Sequence, residues 1–141
     1  MYNNLSQNYE SEFSAITLKK PNEKGLFSLD TPIDEETEGL LFYVDKLPAG
    51  MAALRTDVEG VQEICEFYII PCYRRLALGK HVALQILKKR PGFWQIKQIA
   101  GTDYATCFWR KVVSEFTQNH YEEDVYNDAR WGKVTRQRFR C

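Results

Sequence analysis

"FYIIPCYRRLALGKHVALQIL", Phe67 to Leu87, is the stretch whose reading decides the fold. A β-branched and aromatic run is stopped by Pro71, and two arginines follow. The chain then passes Ala77 and Gly79 and enters a helical pattern. Gly79, Val82, Ala83, Ile86 and Leu87 fall on one stripe, with Lys80, Gln85, Lys88 and Lys89 off it. No obvious capping side chain stands at the helix start, so its first backbone N–H groups are left open. Such a terminus carries the positive end of the helix dipole, and small residues beside it let an anion approach the backbone. With Arg74, Arg75 and Lys80 flanking it, the segment points to a phosphate-bearing cofactor. The spacing is neither G-x-x-x-x-G-K-[ST] nor G-x-G-x-x-G, so nucleotide loops of those two kinds are excluded.

Working outward, "EICEFYII" (Glu63 to Ile70) reads as the strand that feeds this segment. Before it, "LLFYV" (Leu40 to Val44), the turn "DKLPAG" and "MAALR" predict a hairpin. Leu5, Tyr9, Phe13 and Ile16 recur at helical spacing, and Lys19 to Glu38, with two prolines, a glycine and an acidic run, reads as a loop. After the central helix, Pro91-Gly92 is a stop and "FWQIKQIA" (Phe93 to Ala100) alternates as a half-buried strand does. A second helix presents Ala105, Phe108, Trp109, Val112, Val113 and Phe116 on one face, with Thr102 or Asp103 placed to cap it. Tyr121 to Cys141 holds one or two strands. A hairpin group followed by strand–helix–strand–helix–strand predicts an α/β (α+β) domain over 1–141, a mixed sheet with helices on its faces.

Composition narrows the function classes. The 141 residues carry zero formal net charge, so no global field argues for a nucleic-acid or membrane partner. The acidic run Asp34 to Glu38 and the basic run Lys133 to Arg140 read as solvated surface. Arg136, Arg138 and Arg140, at alternate positions, would line one face of a strand as a phosphate track, but no aromatic-interleaved nucleic-acid motif accompanies them. Cys65, Cys72, Cys107 and Cys141 form no C-x-x-C pair and no metal-ligand spacing with His81 or His120, which predicts a metal-free, reduced, cytoplasmic protein. No apolar run approaches the ~20 residues a spanning helix needs.

The segment from Phe67 to Leu87 resembles the acetyl-CoA-binding segment of the GNAT superfamily of N-acetyltransferases: a strand, Pro-x-Tyr, then [Q/R]-x-x-G-x-[G/A] opening a helix. Arg74 takes the Q/R position, Ala77 the first glycine and Gly79 the final small residue. "FWQIKQIA" leading into "ATCFWRKVV" is similar to the family's next unit, and "FWQIKQIAGTDYATCFWRKVVSEFTQNHYEE…QRF" is similar to a group of small predicted acetyltransferases within the superfamily. The resemblance runs from about Leu40 to the C-terminus. It implies a mostly antiparallel central sheet flanked by helices. The family's opening strand would then be missing, since the sequence starts almost directly in a helical pattern.

The resemblance also implies a chemistry: an acetyl group passes from acetyl-CoA (coenzyme A) to a primary amine, small or peptidyl, by direct attack on the thioester. A homodimer is compatible with it. The pantetheine arm would lie along the backbone of Tyr68, Ile69 and Ile70, and the pyrophosphate on the amides of Arg75, Leu76, Ala77, Leu78, Gly79 and Lys80. Thr102 and Trp109 would border the same cofactor. Such a transfer needs a base for the amine and backbone donors for the thioester oxygen. Glu63 and Glu66 are the candidate bases, and regular strand alternation puts them on opposite faces, so only one would serve. Trp109 stands where the family carries a thiolate-protonating tyrosine, and an indole is no acid near neutral pH. Tyr104 or Tyr73 would have to compensate. Thr102 replaces the family's asparagine. A cationic acceptor would suit the acidic run at Asp34 to Glu38. The competing reading is a non-catalytic acyl-CoA-binding or sensing module on the same fold.

Overall fold

The computed structural model describes residues 1–141, apart from the side chain of Arg75. Its elements in order are α1 (Tyr2–Thr17), β1 (Thr37–Val44), β2 (Leu47–Thr56), β3 (Gln62–Ile69), a 3₁₀ turn (Pro71–Leu76), α2 (Leu78–Lys89), β4 (Phe93–Ile99), α3 (Asp103–Thr117), β5 (Glu122–Asp128) and β6 (Gly132–Arg140). One sheet of order β1-β2-β3-β4-β6-β5 holds all six strands. Every neighbouring pair is antiparallel except β3 and β4. The mixed, mostly antiparallel sheet expected from the sequence is therefore what the chain forms, with a helix as its first described element.

The apolar stripes read from the sequence set the layers. Ala83 and Leu87 of α2 and Val112 and Val113 of α3 close one face of the sheet over Ala52, Ile64, Trp94 and Ile96, all buried. Trp94, the largest fully buried side chain, has its indole N–H satisfied by the Arg90 carbonyl at 2.9 Å. The other face is covered by α1, where Leu5 meets Met51 and Tyr68. That helix also buries polar groups, Ser6 and Glu10, which an apolar stripe at Leu5, Tyr9, Phe13 and Ile16 did not anticipate. Glu10, with its neighbour Gln7, is used to hold the following loop. The Gln7 amide pairs with both backbone groups of Phe27 at 2.8 Å, and Glu10 accepts from Asp30 N at 3.1 Å. Two helix side chains thus substitute for a strand partner and hold the loop against α1.

The first hairpin is tighter than its sequence suggests. Asp45 and Lys46 alone form the turn, both at positive φ (49° and 70°), and β2 starts at Leu47. Two positive-φ residues match the right-handed twist of the flanking strands. Pro48 and Gly50 lie in the strand, because β3 is registered to β2 only from Gly50 onward and Pro48 has no ladder partner on that side. A second irregularity positions the site. Ala53 is opposite Glu66 and Leu54 opposite Ile64, which leaves Cys65 unpaired as a β-bulge.

Candidate active site

The bulge at Cys65 falls where β3 leaves β4. The parallel pairing comprises Gln62↔Trp94, Glu63↔Gln95 and Ile64↔Ile96, and beyond it the two strands part. A cavity of about 670 Å³ enters this gap, bounded by β3, β4, the start of α2, α3 and the Arg130–Trp131 end of the last hairpin. The β3 backbone facing it can be read from two hydrogen bonds. Ile70 N donates to Ala49 O on β2 at 2.8 Å, whereas Ile69 O accepts from Arg74 Nε at 2.8 Å. Backbone groups alternate sides along a strand, so Phe67 and Ile69 present theirs to the gap while Tyr68 and Ile70 turn towards β2. Of the three residues expected to offer backbone here, Ile69 does so. Phe67 was missed.

At the mouth of the gap, Ala77 adopts the left-handed conformation (φ 55°, ψ 18°) and starts α2 without any side-chain cap. The first intrahelical donor is His81 N, to Ala77 O at 3.2 Å, so the amides of Leu78, Gly79 and Lys80 precede the helical ladder. A Cβ on Gly79 would stand 3.4 Å from Phe108 Cε2 and 3.6 Å from Ile69 Cγ1, so its missing side chain leaves room at the gap. Lys80 lines the cavity and pairs with Glu115 at 2.6 Å. Leu76 is exposed. The side chain of Arg75 lies outside the described residues.

Arg74 does something other than expected. Its guanidinium grips Glu12 of α1 with two bonds (2.8 and 2.6 Å), lies over the Tyr68 ring and caps the Ile69 carbonyl. It fastens the loop to α1 and does not stand free at the helix N-terminus.

The two candidate bases are corrected together. The extra residue at Cys65 reverses the alternation, so Glu66, opposite Ala53, and Glu63, opposite Arg55, share the α1 face, and both line the cavity. Parity does not separate them; environment does. Glu63 is bound by Lys97 Nζ at 3.1 Å and Gln95 Nε2 at 2.9 Å. Glu66 is 4% exposed, and its Oε1 has no hydrogen-bond partner among the described residues. Burial pushes the Glu66 carboxyl up from 4.5 to about 7, helped by the charges of Glu10 and Asp30 and opposed by the Thr31 hydroxyl and Lys19.

On the far wall, Trp109 is buried edge-on between Phe67 and Phe108, with ring centroids 5.1 and 5.0 Å away. It is a wall, not an acid. Tyr104, exposed in the first turn of α3, lines the cavity; Tyr73 does not. Thr102 occupies the N-cap position of α3 but makes no side-chain cap: its hydroxyl donates to Ile99 O at 2.6 Å, back towards the strand. The acidic run lies elsewhere too. Glu36 pairs with Arg55 (3.5 Å) and Glu38 with Arg90 (2.8 Å), and none of residues 34–38 lines the cavity. The carboxylate of the loop that does line it is Asp30, held by Lys19 at 2.7 Å and by Arg130 at 2.8 Å. On β6, Arg136 is engaged by Asp124 (2.7 Å) and Arg138 lies near Glu122 (3.8 Å), while Arg140 lies over the Phe93 ring, so two of the three alternate arginines face carboxylates. All four cysteines are free, and no helix of the described residues is long and apolar enough to cross a membrane.

No family model matches the sequence, and a search of curated proteins returns no match. Solved structures do match the fold. An acetyltransferase from Bacillus subtilis in complex with CoA superimposes with a TM-score of 0.58 at 14% identity, covering 76% of this chain and 78% of that one. The spermidine N-acetyltransferase from Vibrio cholerae gives 0.60 at 12% identity (76% and 67%). A Bacillus anthracis acetyltransferase in complex with acetyl coenzyme A gives 0.56 at 12% identity (77% and 64%). The fold is that of the GNAT acetyltransferases. At these identities the likeness is one of architecture, and the features that bear on chemistry are this chain's own: the β3/β4 gap, the open start of α2 and the buried Glu66 carboxylate with its unpartnered Oε1.

Proposed function

We propose that this chain is an acetyl-CoA-dependent N-acetyltransferase that acts on a primary amine, with Glu66 as general base. The observation that carries the reading is the meeting, in one cavity, of an uncapped helix N-terminus, a free strand edge and a buried carboxylate with one oxygen lacking a partner. The chain's residues suit the cofactor. The amides of Leu78, Gly79 and Lys80 would hold the pyrophosphate, as helix N-termini hold anions. Backbone groups of Phe67 and Ile69 would pair with the amides of the pantetheine arm. Gly79 leaves the room they need, and the Phe67–Phe108–Trp109 cluster keeps water from that wall.

Bound there, acetyl-CoA supplies an activated acetyl thioester. The protein's task is then to deliver a neutral amine. Glu66, with a carboxyl raised to about 7, is ionised in a useful fraction near neutrality and can accept the ammonium proton. Trp109 cannot return a proton to the departing sulfur; of the tyrosines lining the cavity, Tyr104, on α3 with Trp109, would take that role. The Asp30 and Arg130 side would receive the acceptor, as it lies across the cavity from α2. A screen of amines for acetyl-CoA-dependent release of CoA thiol tests the reading. Amine-dependent release is expected to rise with pH through about 7 and to be lost in Glu66→Gln. Cofactor binding with no release for any amine class would favour the non-catalytic module.

A further inference from the structure

Three buried side-chain oxygens have no hydrogen-bond partner among the described residues: Tyr2 Oη, Ser6 Oγ and Glu66 Oε1. They lie in one place. Tyr2 and Ser6 are one turn apart on α1, the helix that packs on β1 and β2. The Tyr2 ring rests on Gly39 so closely that a Cβ there would be 2.7 Å from Cε2. Gly39 is registered to Ala53, and Ala53 to Glu66. A row across three strands therefore reads glycine, alanine, glutamate, with the tyrosine over its start and the carboxylate at its end. Strands stand ~4.8 Å apart, so the row is about 10 Å long, a span that a tyrosine ring and a glutamate side chain share from opposite ends. Gly39 and Ala53 themselves add little bulk, and Ile33 Cδ1 is the other side-chain atom close over Gly39, 2.9 Å from where a Cβ would stand.

Leaving a buried polar group unpaired is costly, so three orphans over one row of small residues call for a common partner. We propose that Tyr2, Ser6 and Glu66 bound a buried water site behind the catalytic base, in which the two hydroxyls act through the water to hold the Glu66 carboxylate. The water has the two to four polar neighbours such a site requires. Through the water both hydroxyls donate towards the ionised carboxylate, so Tyr2 and Ser6 are positioning residues and keep Glu66 usable as a base despite its burial. The other groups facing Glu66 are Tyr9 and Glu10 from α1, Lys19, Asp30 and Thr31 from the loop, and Cys65 from β3. All of these stay in place when either hydroxyl is removed. The inference deepens the reading of Glu66 as base and rests on it.

The test uses the ligand-free protein. With ¹³C-carboxyl-labelled glutamate, the Glu66 resonance, assigned by its loss in Glu66→Gln, gives the carboxyl's midpoint directly. Ser6→Ala and Tyr2→Phe each remove a donor to the ionised form, and their combination is expected to raise that midpoint by about one pH unit, tenfold in proton affinity. The remaining glutamates, unmoved, report that the variant is folded. In the wild type, a long-lived water is expected to show a cross-relaxation peak to the Ala53 methyl. An unshifted Glu66 midpoint in the folded double variant, or no water peak at Ala53, overturns the proposal. Neither readout needs turnover. A protein inactive towards every amine but showing the shift would keep the water site while losing the transferase reading.

Discussion

Replacing Glu66 by Gln removes one ionisable group and nearly nothing else in shape, so it isolates what burial of that carboxyl costs. The folded protein holds the Glu66 proton with a midpoint of about 7, against 4.5 for the exposed side chain. Between those values the folded state binds more protons than the unfolded one, so the group's contribution to stability falls as pH rises. Below the lower value it contributes no penalty; above the higher one the penalty is complete. A shift of about 2.5 units at 1.36 kcal/mol each corresponds to about 3 kcal/mol. That is a large share of the 5–15 kcal/mol typical of a folded domain. Glu66→Gln should escape the loss. Urea unfolding of both proteins at pH 5 and pH 8 measures it, because every other titrating group cancels in the difference. Stabilisation by Glu66→Gln, relative to wild type, should be about 2–3 kcal/mol greater at the higher pH, since at pH 5 the unfolded carboxyl is already mostly ionised. A difference that stays flat between the two pH values would refute both the raised carboxyl and its use as a base.

Four substitutions at the cavity walls have definite outcomes. Ala77 is held at φ 55°, which costs a non-glycine residue about 1–2 kcal/mol, so Ala77→Gly should raise the midpoint of thermal unfolding by a few degrees, net of the entropy glycine loses on folding. Arg74→Ala breaks an ion pair whose side chains are 38% and 43% exposed, so stability measured by urea should fall by under about 1 kcal/mol from that pair, and acetyl-CoA affinity should stay within about tenfold. Trp109→Phe should leave the transfer rate within a few-fold because the indole handles no proton, whereas Tyr104→Phe should lower kcat without weakening acetyl-CoA binding.

How far the sequence carried this reading is instructive by residue. Phe67 to Leu87 could be read because its signals are local: a proline that ends a strand, a stripe at helical period and two small residues at a helix start. The layers followed from the same stripes. What could not be read depends on residues far apart in the chain. The bulge at Cys65 comes from the fit of β3 to both β2 and β4, and it alone brought Glu63 and Glu66 to one face. Arg74 looked free because its partner, Glu12, lies 62 positions away. Thr102 is a local exception: its hydroxyl has two nearby uses, the helix N-terminus and the Ile99 carbonyl three residues back, and the fold takes the second. Asp30 drew no notice beside the dense run at 34–38, although the acid lining the cavity is the one that Lys19 and Arg130 can reach.

The most direct test of the central claim, that the open start of α2 and the β3 edge form a cofactor site, is calorimetric titration of the protein with acetyl-CoA. Gly79→Glu is its control, since the new side chain would push into the Phe108–Ile69 gap and place a negative charge at the helix N-terminus. Saturable binding by the wild type and none by the folded variant is the predicted result. Absence of binding by the wild type, or equal binding by both, would contradict the account.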